Sequence, residues 1–166
     1  MTKAVFFDRD GVLNVDKNYL YKIEDFEWQI DAMQAIKFLK DQGYLVVVVT
    51  NQSGVARGYY TEQDVHSLHS HMQAELANIG TNIDAFYHCP HLPDASVSEY
   101  ALECNCRKPA PGMIIRACTE YDIDPQLSFL IGDKKRDIEA GEAVGVRGYL
   151  YKSGSLLKFV RDIVCQ

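Results

Sequence analysis

The sequence predicts an α/β fold, a doubly wound parallel sheet, on three observations. Short apolar runs recur at residues 4–7, 44–50, 83–87, 127–131 and 146–151. Stretches with helical spacing stand between them, and strands alternating with helices argue a parallel sheet with crossover connections. The run Leu45-Val46-Val47-Val48-Val49 is apolar on both faces, as a central strand of such a sheet must be. At 166 residues the length is that of one domain, read as residues 1–166.

The first run, residues 4–7, leads straight into Asp8, Asp10 and Gly11. On an extended backbone side chains two apart share a face, so both carboxylates lean into one site and Arg9 turns away. Gly11 lets the chain turn sharply behind them. The carboxyl end of a parallel strand is where open α/β sheets bind ligands, and hard oxygen ligands there suit Mg²⁺. Taken alone, a strand followed by an acidic turn explains these residues as well.

Residues 14–30 carry Tyr19, Tyr21, Phe26 and Trp28 without a period, and read as a structured loop over the site or as aromatics packed at the domain edge. Ala32, Ala35, Ile36 and Leu39 have helical spacing, which Gly43 ends. The second strand runs into Thr50-Asn51-Gln52-Ser53-Gly54, an ordinary turn or a set of oxyanion donors. Thr61 to Asp64 forms a capping box for a helix reaching about residue 79. Its His66, His69 and His71 lack the partners of a full metal set, so they read as solvated or packing residues.

After the third run come Cys89-Pro90-His91 and, twelve residues later, Cys104-Asn105-Cys106. Three thiols and one imidazole make the Cys₃His set of a structural Zn²⁺ site. The polar stretch between them, in a loop of about residues 88–108, builds no core of its own, and a metal holds such a loop. Cys118 and Cys165 stand apart as buried or free thiols. Arg107 and Lys108 leave the last thiol directly. Pro111-Gly112-Met113 opens a helix to about residue 121. The fourth run ends in Gly132-Asp133, which puts Asp133 at a strand end as Asp8 is, with Asp137 one helical turn further on. A helix over 138–144, the fifth strand and an amphipathic helix over 156–164 complete the chain.

Composition bounds the function. Hydrophobic residues make up 47% and charged residues 24%, ordinary for a soluble globular protein. A net charge of −6 argues against nucleic-acid and anionic-membrane partners. No apolar stretch has the length of a membrane span or the flanks of a signal peptide. A cytoplasmic monomer acting on a small molecule is expected. Asp8, Asp10, Thr50, Lys108 and Asp133, brought to one sheet edge, make a phosphoryl-transfer site. Asp8 attacks phosphorus and forms an aspartyl-phosphate; Asp10 protonates the leaving alkoxide and then takes a proton from water.

Asp8-x-Asp10-Gly11, Thr50 after an apolar strand, Lys108 and Gly132-Asp133-x-x-x-Asp137 together resemble the haloacid dehalogenase superfamily of Mg²⁺ phosphatases. Within it the chain resembles the zinc-loop group of histidinol-phosphatases and heptose-bisphosphate phosphatases. Phe7 to Val12, Thr50 to Gly58 and Cys106-Arg107-Lys108-Pro109 are closer to the heptose pattern. The resemblance implies a Rossmann-like sheet without a large cap domain, the zinc loop and the 14–30 loop shaping the pocket. It implies Asp8 as nucleophile, Asp10 as acid/base, and Mg²⁺ on Asp8, the Asp10 backbone carbonyl and Asp133. Zn²⁺ falls on Cys89, His91, Cys104 and Cys106. Thr50 and Lys108 would stabilise the phosphoryl group. Asp16, Lys17, Asn18, Tyr19, Asn51, Gln52, Ser53, Arg107 and Lys134 would meet a phosphorylated sugar, and Asp137 would orient the metal shell.

Two departures stand out. Asn18-Tyr19-Leu20 replaces a Gly-Tyr-Val-like run, which bears on sugar preference. The chain ends soon after Val164, where relatives often continue, so a reduced last sheet edge is expected. Val12 and Ser53 argue against histidinol phosphate as substrate. The full set of acids argues against an inactive zinc-stabilised binding module, and the net charge against a nucleic-acid 3′-phosphatase.

Overall fold

The computed structural model describes residues 1–166. Five strands, β1 (Ala4–Phe7), β2 (Leu45–Asn51), β3 (Ala85–Cys89), β4 (Phe129–Gly132) and β5 (Arg147–Leu150), form one sheet. Its order is β3-β2-β1-β4-β5, and every neighbouring pair is parallel. The chain therefore runs outward from β1 to one edge, then crosses to the other. The resulting switch point beside β1 is where such sheets bind ligands.

Five helices cover the two faces: α1 (Ala32–Asp41), α2 (Glu62–Ala77), α3 (Gly112–Tyr121), α4 (Lys135–Glu142) and α5 (Leu156–Val164). Alternation along the strands decides which residues meet which helices. Val5, Phe7, Val46, Val48 and Ile131 join Ile36, Leu39, Met72, Leu76 and Val160 in one core. Ala4, Phe6, Val47, Val49 and Leu130 join Met113, Ile114, Ala117 and Ala140 in the other. Burying a Val, Leu, Ile or Phe contributes roughly 1.5–3 kcal/mol. Two buried layers of such residues thus hold the strands between the helices, and the strand ends carry the polar residues that follow.

Local chemistry sets the element bounds. Thr61 and Asp64 form the reciprocal cap of α2, with Asp64 N–H donating to Thr61 Oγ1 at 3.1 Å and Thr61 N–H to Asp64 Oδ2 at 2.9 Å. Gly43, at φ +87°, turns the chain after α1. The third strand starts at Ala85 and reaches Cys89, later than the run 83–87 implied. The Gln73 side chain of α2 engages both the N–H and the carbonyl of Ile83, which holds that residue against the helix ahead of the strand. The fourth strand likewise starts at Phe129, because Pro125–Leu127 is wound into a short 3₁₀ turn capped by Asp124. Residues 14–30 form a loop with one 3₁₀ turn, Ile23–Asp25, pinned by a bridge between Asn14 and Trp28. No helix is long and apolar enough to cross a membrane.

Candidate active site

Asp8 lies one residue beyond β1, Thr50 near the end of β2 and Asp133 one residue beyond β4, so three neighbouring strands deliver them to one edge. Lys108 arrives from the loop after β3. Its backbone is clamped by Asn51, whose Oδ1 accepts from Lys108 N–H at 3.0 Å and whose Nδ2 donates to the Lys108 carbonyl at 3.2 Å. The Lys108 ammonium is buried and donates to Asp8 Oδ1 at 2.9 Å and to the Val49 carbonyl at 2.7 Å. Asp137, fully buried at the start of α4, pairs with the same ammonium at 2.7 Å and accepts from Lys134 N–H at 3.0 Å.

Asp8, Asp133 and Asp137 bring carboxylate oxygens within 4.8 Å of one another. Burial pushes the Asp8 carboxyl up to about 8, against the pull of Lys108 and with the Asp137 charge adding to the rise. Burial raises Asp133 as well. Lys108 is held as a cation because the attraction of Asp8 and Asp137 outweighs its desolvation. One ammonium among three acids leaves negative charge uncompensated, and Asp133 Oδ1 is buried with no hydrogen-bond partner. That donor set fits a hard divalent cation such as Mg²⁺. Gly11 makes the approach possible: at φ +90° it tolerates the left-handed backbone, and a Cβ there would run into the Asp133 carboxylate.

Asp10 sits in a different environment. Arg9 does not turn away; it is fully buried and folds back onto its neighbour. Arg9 Nη2 lies 3.1 Å from each oxygen of Asp10, Asn14 Nδ2 donates to Oδ1 at 3.0 Å, and Gln52 Nε2 donates to Oδ2 at 3.0 Å. Burial works against the Asp10 charge, but Arg9 and these hydrogen bonds prevail and hold it below the usual carboxylate value. The same Gln52 amide donates to Thr50 Oγ1 at 2.8 Å, and its carbonyl accepts from Tyr60 O–H at 2.5 Å. One buried amide thus ties Thr50 to Asp10.

A cavity of about 270 Å³ opens over Asp10. Asp16, Asn18, Tyr19, Asn51, Gln52, Ser53 and Arg107, all named from the sequence, line it, together with Arg57, Tyr60 and Arg136. Lys17 and Lys134 do not line it. Lys17 pairs with Glu27 at 3.3 Å, and Lys134 is an exposed residue just ahead of α4. Arg57 Nε and Arg107 Nη1 are buried without partners, so both residues retain donors for an anion. Asn18 and Tyr19 have φ of +54° and +63°, a left-handed turn that is costly for non-glycine residues. Arg57 lies over the Tyr19 ring at 5.4 Å. Sequence reasoning missed Arg57 and Arg136; the Arg57-Gly58 pair after Ser53 and the basic run at 134–136 were the available signals.

The cysteine cluster forms beside this site. Cys89, His91, Cys104 and Cys106 bring their ligand atoms within 4.8 Å of one another, and all three thiols are free. Sulfur separations are 3.5 Å for Cys89–Cys104, 3.4 Å for Cys104–Cys106 and 2.8 Å for Cys89–Cys106, with His91 Nδ1 3.4 Å from Cys106 Sγ. Tetrahedral Zn–S bonds of about 2.3 Å put sulfurs roughly 3.8 Å apart, so two of the three separations lie close to that edge and the third is tighter.

A family model described as "HAD-hyrolase-like" matches residues 105–158. A D-glycero-alpha-D-manno-heptose-1,7-bisphosphate 7-phosphatase of Photorhabdus laumondii is 46% identical over 92% of this chain and 84% of its own. A D-glycero-beta-D-manno-heptose-1,7-bisphosphate 7-phosphatase of Pasteurella multocida is 44% identical over 93% of this chain and 84% of its own. Among solved structures, a D,D-heptose 1.7-bisphosphate phosphatase from B. bronchiseptica, complexed with magnesium and phosphate, is 34% identical with a TM-score of 0.81, covering 97% of this chain and 87% of that one. With such identity over nearly the whole length, the chain belongs to the heptose-1,7-bisphosphate 7-phosphatase family of haloacid dehalogenase-like hydrolases.

Proposed function

We propose that the protein is a phosphatase that removes the 7-phosphate of D-glycero-D-manno-heptose 1,7-bisphosphate by way of an aspartyl-phosphate on Asp8. The observation that carries this reading is the cluster of Asp8, Asp133 and Asp137 around Lys108, beside a cavity bearing Arg57, Arg107 and Arg136. A substrate with two phosphates needs separate cationic partners for each, and Arg forks suit the second while a buried Lys suits the reacting one. Asp8, Asp133 and the Asp10 backbone carbonyl would hold Mg²⁺, which when bound keeps Asp8 ionised and offsets the charge on the phosphoryl oxygens. Cys89, His91, Cys104 and Cys106 would hold a closed Zn²⁺ that stiffens the loop carrying Arg107 and Lys108.

Asp8 attacks phosphorus as Lys108 and Thr50 take up equatorial oxygen charge. Asp10, ionised in its donor cage, meets a phosphate dianion whose like charge raises its proton affinity. It then takes up a proton from solvent, gives that proton to the leaving sugar oxygen as the P–O bond breaks, and, ionised again, accepts a proton from the water that opens the acyl phosphate. Gln52 couples the two events, since it holds both Asp10 and Thr50.

Asp8→Asn is expected to abolish turnover. Asp10→Asn should lower turnover of the sugar phosphate by roughly 10²–10⁴, the usual worth of general acid–base help. An activated aryl phosphate needs little protonation, so Asp10→Asn should still give a first-turnover burst of phenol. Absence of that burst, with equal losses on both substrates, would count against Asp10 as acid/base. A panel of phosphate esters that includes histidinol phosphate tests substrate choice directly: faster turnover of histidinol phosphate than of the heptose bisphosphate overturns the proposal.

A further inference from the structure

Arg9 is the largest fully buried side chain in the molecule, at 0% exposure. Its guanidinium sits between groups from two different parts of the fold. Nη2 lies 3.1 Å from each Asp10 oxygen and 3.3 Å from the Leu20 carbonyl, while Nη1 lies 3.2 Å from His69 Nε2. A guanidinium only donates. His69 Nε2 must therefore accept, which puts the ring proton on Nδ1 and keeps the ring neutral. Burial, with Arg9 beside it, holds the His69 ring well below its usual pKa. The ring is stacked on Phe86 of β3 at 4.2 Å with an interplanar angle of 15°. Helix α2 and strand β3 thus fix His69, His69 fixes one arm of Arg9, and the other arm fixes Asp10.

We infer that His69 and Arg9 are positioning residues for the reaction, the histidine aiming the guanidinium and the guanidinium aiming the Asp10 carboxylate at the leaving oxygen. A purely packing role for His69 would need no acceptor at this point, because an apolar ring would fill the space against Phe86. Here the acceptor meets a buried cation whose Nε has no partner at all. Without His69, the guanidinium keeps Asp10 and the Leu20 carbonyl on one nitrogen only, and pivots about it. The inference rests on Asp10 being the acid/base, and its test separates the two claims.

His69→Phe keeps the stack and removes the acceptor; His69→Gln returns an acceptor oxygen. For His69→Phe, kcat on the heptose bisphosphate should fall about 10–100-fold, the scale of a misplaced catalytic group, with KM nearly unchanged. First-turnover phenol release from an activated aryl phosphate should stay close to that of the unmodified enzyme, and His69→Gln should recover most of the lost kcat. Arg9→Lys, which keeps the buried charge but cannot span both partners, should repeat the His69→Phe pattern, and it decides the matter if His69→Phe does not fold. Equal losses on sugar and aryl substrates, no loss on either, or His69→Gln as poor as His69→Phe would overturn the inference. Asp10→Asn in the same assay is the reference. If it too shows no leaving-group dependence, the acid/base reading fails; if it does and the His69 and Arg9 variants do not, only the positioning inference fails.

Discussion

Lys108 is a single cation facing Asp8 and Asp137, close to Asp133, and most of the site's chemistry follows from that imbalance. Removing it leaves two buried carboxylates unpaired. Breaking such a buried pair costs about 3–5 kcal/mol, so Lys108→Met should lower Tm as well as kcat. Magnesium should restore part of the Tm and little of the kcat, because the phosphoryl donor is gone. Arg107 is predicted to act on a different quantity. Arg107→Ala, and equally Arg57→Ala, should damage bisphosphate turnover more than monophosphate turnover; equal losses on the two substrates would remove the specificity role. At this scale the sequence was readable where a residue's type and its strand-end position coincide, as for Asp8, Thr50 and Asp133. It misled at Arg9, because the alternation of an extended strand stops at Asp8 and the turn that follows lets a long side chain double back. For Lys17 and Lys134 the expectation rests on position in a motif alone, which does not fix where a long side chain goes, and neither lines the cavity.

The elements do the positioning. Phe7 at the end of β1 pairs with Val48 of β2 and Ile131 of β4, and β2 runs on past that point to Asn51, so Asp8, Thr50 and Asp133 reach one edge without any long loop. Bounds that depend on a local rule were legible: the Thr61 cap of α2, the glycine after α1, and α5, whose apolar spacing marks Leu156–Val164. Bounds that depend on a partner elsewhere were not. The start of β3 is set by Gln73 on a neighbouring helix, and no local pattern at Ile83 shows it. The loop after β3 is tied at Val97, whose N–H donates to the Ala56 carbonyl, and at Tyr100, whose O–H donates to Glu62, and its sulfurs converge between Cys89 at the strand end and Cys106 just before Arg107. Protein purified without added metal should therefore carry about one Zn per chain, on a four-ligand count. Cys104→Ser should release that zinc, lower Tm and reduce kcat through Lys108, as measured by metal analysis beside thermal melts. Full stability and activity in that variant would refute a structural zinc.

The whole molecule carries a pH signature of the same imbalance. Asp8 is pushed up to about 8 and Asp133 is raised as well, both by burial first. Unfolded, these groups titrate near the ordinary value of about 3.9. Through these two groups the folded chain binds more protons than the unfolded one between about pH 4 and 8, while buried, neutral His69 works the other way up to the ordinary histidine value of about 6.5, so metal-free stability should fall as pH rises from about 6.5 to 8. Asp10, held low, contributes in the opposite sense, with stability that is lost only as pH falls below the ordinary carboxylate range. A divalent cation held by Asp8 would take the place of its proton, so added Mg²⁺ should raise Tm more at pH 8 than at pH 5. A larger effect at pH 5 would contradict the assignment.

The proposed reaction is regiochemical: the sheet edge would dephosphorylate one end of a bisphosphate while the arginines of the cavity would hold the other. Phosphorus NMR of D-glycero-D-manno-heptose 1,7-bisphosphate turning over with Mg²⁺ tests it most directly. The 7-phosphate resonance should give way to inorganic phosphate while the 1-phosphate resonance persists, and Asp8→Asn should leave both untouched. Loss of the 1-phosphate first, or release of both at the same rate, would contradict it.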